Sequence, residues 1–353
     1  MRKYVLPLVL CFALNGCAKA QIIDRIKLIE SIGYDSQGEA YKISGTYCAY
    51  DKKVKLFLLE GQVHSFNEVL TSFTSQSDHP IAIGQLRTIV ISEQIARRGV
   101  TEIANTLVRD PHISNRATLV ITTNQASEIL DETLRFPPVY LSNLLKQNMD
   151  TGSLPFTNGH IFLDQYFGEG QDVFLPIVAI GPRGILQLNG VGVFKGDQLK
   201  LTLPNKAGLF IKLLIDDDVG LQSSTYDFKN DQDKQITFKI IRSKHNIIVT
   251  NEKVVISLKL DLDLGDYPVS LNVFENTHDR NALTQQIEHH LSVEIKALLE
   301  QFQKNLVDPI GIGNLLRSRE RNWNEPAFAA RVYPNLKFDV QTEVKILSLG
   351  VGH

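Results

Sequence analysis

Three histidines, one isolated thiol and several close-set carboxylates are the groups in this chain that could do chemistry. His289 and His290 are adjacent in a helical stretch, with His278 upstream. A zinc pair on a helix needs two histidines four apart on one face and a further ligand, whereas adjacent residues point about 100° apart. HExxH and paired-cysteine ligand sets are both absent, so the sequence predicts no metal site and no cofactor. Asp261 and Asp263 share one face of a strand. Paired carboxylates can act as acid and base when they face each other across a cleft about 5–9 Å wide. Alternating acids also mark an ordinary wet strand face, and that is the expectation here. Asp216, Asp217 and Asp218 lack the alternating ligands and later Glu of a calcium loop, so they read as a solvated turn. "GVGVFKG" (Gly190–Gly196) lacks the Lys-Ser/Thr ending of a phosphate loop and the glycine spacing of a dinucleotide fingerprint. Its glycines read as points of close backbone approach. Cys48 has no neighbouring base and reads as a small buried side chain. No G-x-S-x-G elbow occurs. The catalytic expectation is therefore none.

Ile81–Leu130 reads as strand, helix, strand, helix. Ile81–Ile91 is β-branched and broken by Gly84. Ser92 offers a helix cap to Glu93–Arg98, which Gly99 stops. Thr101 opens a helix whose Ile103, Ala104, Leu107 and Val108 share a face, ended by Asp110-Pro111. Ala117–Thr123 is a strand, and Asn124 begins Gln125–Leu130. Upstream, Ile26–Tyr34, Ala40–Tyr50 and Lys53–Glu60 are strand candidates, the last broken by Gly61. Ser65–Glu68 forms a capping box. Phe66, Val69, Leu70 and Phe73 make a helical stripe that packs on the sheet in preference to forming a partner groove. Helices are expected at Val139–Met149, Thr157–Phe167 and Pro204–Leu214. Val173–Ile180, Ile185–Phe194 and Gln198–Leu203 read as antiparallel strands. The polar run Leu221–Asp233 reads as a boundary. Beyond it lie strands at Gln235–Ser243, Ile247–Thr250 and Val254–Leu264. A long helix, Asn281–Val307, buries Leu283, Ile287, Leu291, Ile295 or Leu298, Phe302 and Leu306, and Asp308-Pro309 stops it. A final strand is expected at Leu336–Leu349.

Composition narrows the class. The 353 residues carry 37 basic and 39 acidic side chains, with 43% apolar and 22% charged content. This is a globular chain with no basic run suited to nucleic acid. Of three cysteines, Cys11 and Cys17 fall in or at the end of a leader, which leaves Cys48 without an internal disulfide partner. Arg2 and Lys3 precede an apolar stretch, Tyr4–Leu14, too short to span a bilayer. Leu14-Asn15-Gly16-Cys17 has the form of a lipobox. The thiol of Cys17 is the group there that diacylglycerol can alkylate, and two or three acyl chains would hold the protein at a membrane. The mature body is mildly acidic and would not cling to anionic lipid through its net charge.

The order and spacing of several short motifs resemble the Ger(x)C family, the lipoprotein C subunits of bacterial spore germinant receptors. They are Ser92-Glu93, Gly99, Val108–Pro111, Leu175–Ile177, Gly190–Lys195, Asp308–Gly313 and Trp323-Asn324. The residues after Cys17, Ala18-Lys19-Ala20, depart from the Trp-Asp usual there. The resemblance implies a lipid-anchored, non-enzymatic C subunit on the outer face of the inner spore membrane. Its partners would be integral-membrane A and B subunits, acting in nutrient-triggered germination. The alternative from the residues alone is an exported, membrane-anchored solute-binding or envelope-acting protein. The expected fold is α+β and multi-domain, with mixed or antiparallel sheets packed with helices. Residues 1–16 would be signal peptide, 17–220 an N-terminal α/β region, and 221–353 an α+β domain whose antiparallel sheet carries one long helix.

Overall fold

A computed structural model describes residues 26–349 except 52, 217–224, 231–232, 269–272 and 274. The leader and Cys17 lie outside the described residues. Strands β1 (Lys27–Gln37), β2 (Ala40–Asp51), β3 (Lys53–Val63), β4 (Ile81–Ala82), β5 (Thr88–Ser92), β6 (Thr118–Thr122), β7 (Phe174–Ile180), β8 (Leu186–Lys195) and β9 (Gln198–Leu203) form one sheet. Its order is β3-β2-β1-β5-β6-β7-β8-β9, with β4 also paired to β1. β1, β5, β6 and β7 run parallel, and antiparallel strands flank them on both sides.

Alternation along the central strands explains the layering. Ile89, Ile91, Leu119 and Ile121 face one core, and Val90 and Val120 face the other. A central strand buried on both faces reads as an unbroken apolar run. One face is covered by helices α1 (Val69–Thr74), α2 (Glu93–Arg98), α3 (Thr101–Arg109) and α6 (Gly159–Phe167). The other carries α4 (Ala126–Thr133), α5 (Tyr140–Asp150) and α7 (Asn205–Ile215). The α4 N-terminus is held from outside its own segment. Asp35 on β1 accepts from the amides of Ala126 and Ser127 at 2.6 and 3.0 Å. Asn124, expected to open that helix, instead accepts from the Ile180 amide.

The second sheet holds β10 (Thr225–Lys229), β11 (Gln235–Val249), β12 (Lys253–Leu264) and β13 (Lys337–Leu349), in that order. The long helix α8 (Thr277–Lys304) packs on β13 and buries Leu283, Ile287, Leu291, Ile295, Leu298 and Phe302. Asn276 caps it, accepting from the amides of His278 and Asp279. Leu306 lies past the helix end at positive φ and is exposed.

The mixed α+β architecture is as expected, and several details differ. β13 joins the second sheet parallel to β12, so this sheet is antiparallel only from β10 to β12. A crossover through α8 returns the chain to the end at which β12 began, and that connection yields parallel pairing. The polar run before residue 233 contains β10, whose Tyr226 and Phe228 alternate inward. β11 is one strand with a register shift near Ile240 where two strands were expected. β3 continues through Gly61. A Cβ there would lie 2.3 Å from Ser72 Oγ, so this glycine admits α1 close to the sheet. Ser92 makes no cap bond, and its buried hydroxyl has no partner among the described residues.

Candidate functional site

The sequence-level candidates separate in space. His290 stacks on Phe228 with ring centroids 3.9 Å apart, and its Nε2 lies 2.9 Å from the Tyr226 hydroxyl. Burial and the nearby Lys206 ammonium hold its pKa below the usual range, so it is a neutral packing group at pH 7. Among the described residues no group of three or more His, Cys, Asp or Glu side chains is placed to hold a metal ion. Asp261 faces Arg242 at 3.7 Å, and Asp263 accepts from Ser348. Gly190 has φ of 109°, and a Cβ there would meet the Leu203 carbonyl oxygen at 1.8 Å. The glycine-rich strand is thus a site of backbone contact. Cys48 is exposed, contrary to expectation, with Sγ 3.4 Å from Glu30 Oε2. Partial desolvation and the Glu30 carboxylate push the thiol up to about 11, which suppresses the nucleophilic thiolate.

Asp216 also departs from expectation. It is the counter-ion of Lys212, which is 1% exposed in the apolar run of α7. The Lys212 ammonium donates to the Met149 and Leu154 carbonyls and lies 3.4 Å from Asp216. Asp216 in turn accepts from the Phe156 amide at 3.2 Å. A charge this deep is tolerated only when paired and hydrogen-bonded. The pair pins the end of α5, and the loop after it as far as Phe156, to α7. The signal in the sequence was a single lysine inside "AGLFIKLLI".

Two built features remain. The first is a chamber of about 360 Å³ between the sheet and helices α1 and α3, lined by Phe66, Val69, Leu70, Ile83, Ile103 and Leu107. Glu102 fixes its walls, accepting from the Phe66 amide at 2.9 Å and the Tyr41 hydroxyl at 3.0 Å. The helical stripe therefore packs on the sheet and also lines a chamber.

The second is a joint between the two sheets, built on "DPIGIG". Asp308 is 5% exposed and accepts from the amides of Gly311 and Gly313 at 3.0 and 2.8 Å. Its own amide donates to Asp172 at 2.7 Å, and the Asp172 amide returns to the Asp308 carbonyl. Lys195 sits 3.1 Å from Asp172. Gly170 adds two bonds, to Glu325 and to the Asn314 amide. Gly311 has φ of 79°, which suits glycine. Burial pushes Asp308 up to about 7 despite the amides directed at it. Neither feature pairs a nucleophile with a base.

Residues 19–180 match the Spore germination protein N-terminal domain, and residues 189–350 match the Spore germination B3/GerAC-like C-terminal domain. The chain is 30% identical over 366 residues to the spore germination protein GerQC of Bacillus cereus, covering 99% of each. The crystal structure of the GerBC protein superposes with a TM-score of 0.59 at 17% identity, over 90% of this chain and 96% of that one. These matches span both sheets and the joint between them, and the chain belongs to the GerAC family of spore germination proteins.

Proposed function

We propose that this chain is the C subunit of a germinant receptor, acting in nutrient-triggered spore germination without catalysing a reaction. It is held on the outer face of the inner spore membrane by acyl chains on Cys17 and works beside integral-membrane A and B subunits. The observation that carries this reading is the end-to-end match to a spore germination protein across both halves of the chain. The lipobox at Leu14–Cys17 supports the anchor. Among the described residues no helix is long and apolar enough to cross a membrane. The buried joint supports a supporting, non-catalytic role, because it couples the two sheets into one body that can brace membrane partners. We also propose residues 17–220 and 221–353 as the domains. The matched family segments meet earlier, between residues 180 and 189. Hydrogen bonding of β8 onto β7, and of β9 onto β8, favours the later division.

Spores carrying Cys17→Ala test this reading. Germination should slow and the A and B subunits should fall in abundance. Unchanged germination with every nutrient, together with unchanged partner levels, would refute it. A solute-binding role is the second reading, favoured by the apolar chamber. It predicts a rise in melting temperature with a small apolar ligand that Leu107→Arg abolishes.

A further inference from the structure

The chain's basic residues form no run in sequence, yet the fold gathers three of them in one place. Arg87, Arg116 and Lys146 line a single cleft with Ser114, Ser142, Thr157 and Asn158. All three cations are exposed, and no ion pair to any of them occurs among the described residues. One acid, Asp150, lines the cleft, and Glu30 acts on Arg87 from the neighbouring one, which still leaves the cleft net positive. Thr157 is 1% exposed and its hydroxyl has no partner among the described residues, so a buried hydrogen-bonding group stands at the cleft wall. Phe156 lines the same cleft and is 47% exposed. Its position is set by the amide bond to Asp216, and so by the buried Lys212 pair. Clustered cations around an open cleft of about 590 Å³, beside an exposed aromatic ring, are the chemistry of a membrane-surface contact.

The topology gives that cleft a direction. Arg87 immediately precedes β5. Its amide bonds the Glu30 carbonyl on β1, and its carbonyl accepts from the first residue of β6, Thr118. The cleft therefore lies at the N-terminal end of the parallel strands. A neighbouring cleft shares Gln85 and Arg87 and is lined by Ile26, where the described chain begins. Cys17 is nine residues upstream of Ile26, a reach of at most roughly 30 Å even fully extended. A lipid on Cys17 would hold this end of the sheet close to the bilayer.

We propose that the Arg87–Arg116–Lys146 cleft binds the phosphate of anionic lipid headgroups, with Phe156 entering the interface beside it. This contact orients the anchored body on the membrane. It rests on the membrane placement proposed above, and it is local: the molecule as a whole carries net negative charge, so the cleft acts within a Debye length of the surface.

The test uses the mature chain with Cys17→Ala, which removes acylation and isolates headgroup binding. Its flotation is measured with vesicles of phosphatidylcholine alone and with vesicles that also contain phosphatidylglycerol. Binding is expected only to the latter, weakening as salt rises. Arg87→Glu, Arg116→Glu and Lys146→Glu together should reduce it by about two orders of magnitude, the combined loss of three cations at an anionic surface. The same three reversals at Lys200, Lys244 and Arg319, exposed cations outside the cleft, should leave most binding intact. If the triple variant does not fold, as judged by its melting curve, Arg116→Gln and Lys146→Gln singly should each lower binding and flatten the salt dependence. Equal binding to both vesicle types, or full binding by the cleft variants, overturns the proposal. Stabilisation by inorganic phosphate without vesicle binding also overturns it, and assigns the cleft to a soluble phosphate. Mass spectrometry of native Cys17 tests the anchor separately, so failure of one reading leaves the other measurable.

Discussion

The Asp308 joint and the Arg87 cleft are both polar, and they treat their polar groups in opposite ways. In the joint the Asp308 carboxylate is met by backbone amides, and Asp172, Lys195, Glu325 and Gly170 are tied into the same network. In the cleft three cations share a wall without ion-pair partners among the described residues. The joint's hydrogen bonds are internal, so its residues stabilise the fold. The cleft's charges contribute little to folding and remain available to something outside it.

Perturbing each region should sharpen that contrast, and the buried ionic core that supports the cleft sets the upper limit. Lys212→Ala leaves Asp216 and two carbonyls without their partner, and should cost about 3–5 kcal/mol in urea denaturation. The loop carrying Phe156 should become open to proteolysis at the same time. Asp308→Ala strands two buried amides, and should cost roughly 2–4 kcal/mol by the same measurement.

The joint also has a pH signature. Asp308 titrates near 7 when folded, above the ordinary carboxylate value, so the folded state binds the extra proton between about pH 4 and pH 7. Its contribution is fully present below the unfolded pKa and is lost as pH rises through 7, then stays flat. Asp308→Asn should remove that slope from the stability-against-pH curve. An unchanged slope would mean that another group, such as Asp172, carries it.

Glu102→Ala frees the Phe66 amide and the Tyr41 hydroxyl, and should cost about 1–3 kcal/mol, read as a lower melting temperature. Arg116→Gln should shift stability by only a few tenths of a kcal/mol. A large loss there would make the cleft structural and remove the contrast.

The sequence made the local elements legible and left the assembled ones hidden. Glu93–Arg98 was readable because Gly99 stops the helix, and Thr101–Arg109 because Asp110-Pro111 does. The stripe of α8 was readable from its spacing. β10 was hidden because Tyr226 and Phe228 alternate with polar residues inside a polar run. The parallel direction of β13 depends on how a helix crosses a sheet, which no local pattern encodes. Asp35 capping α4 is a contact between residues about ninety positions apart. The same holds for the site. Asp308-Pro309 was visible as a helix stop, while its partner Asp172 was not. Arg87, Arg116 and Lys146 follow one another at intervals of about thirty residues, and the starts of β5 and β6 together with α5 bring them to one cleft.

The parallel pairing of the last strand bears on how the molecule is made. β12 emerges roughly 70 residues before β13, which at ordinary translation speed is a delay of about 4–14 s. Throughout that interval β12 offers a long row of unpaired amides and carbonyls, a ready template for another nascent chain. A chaperone that shields this segment until the terminal strand arrives would decide how much correctly folded protein accumulates.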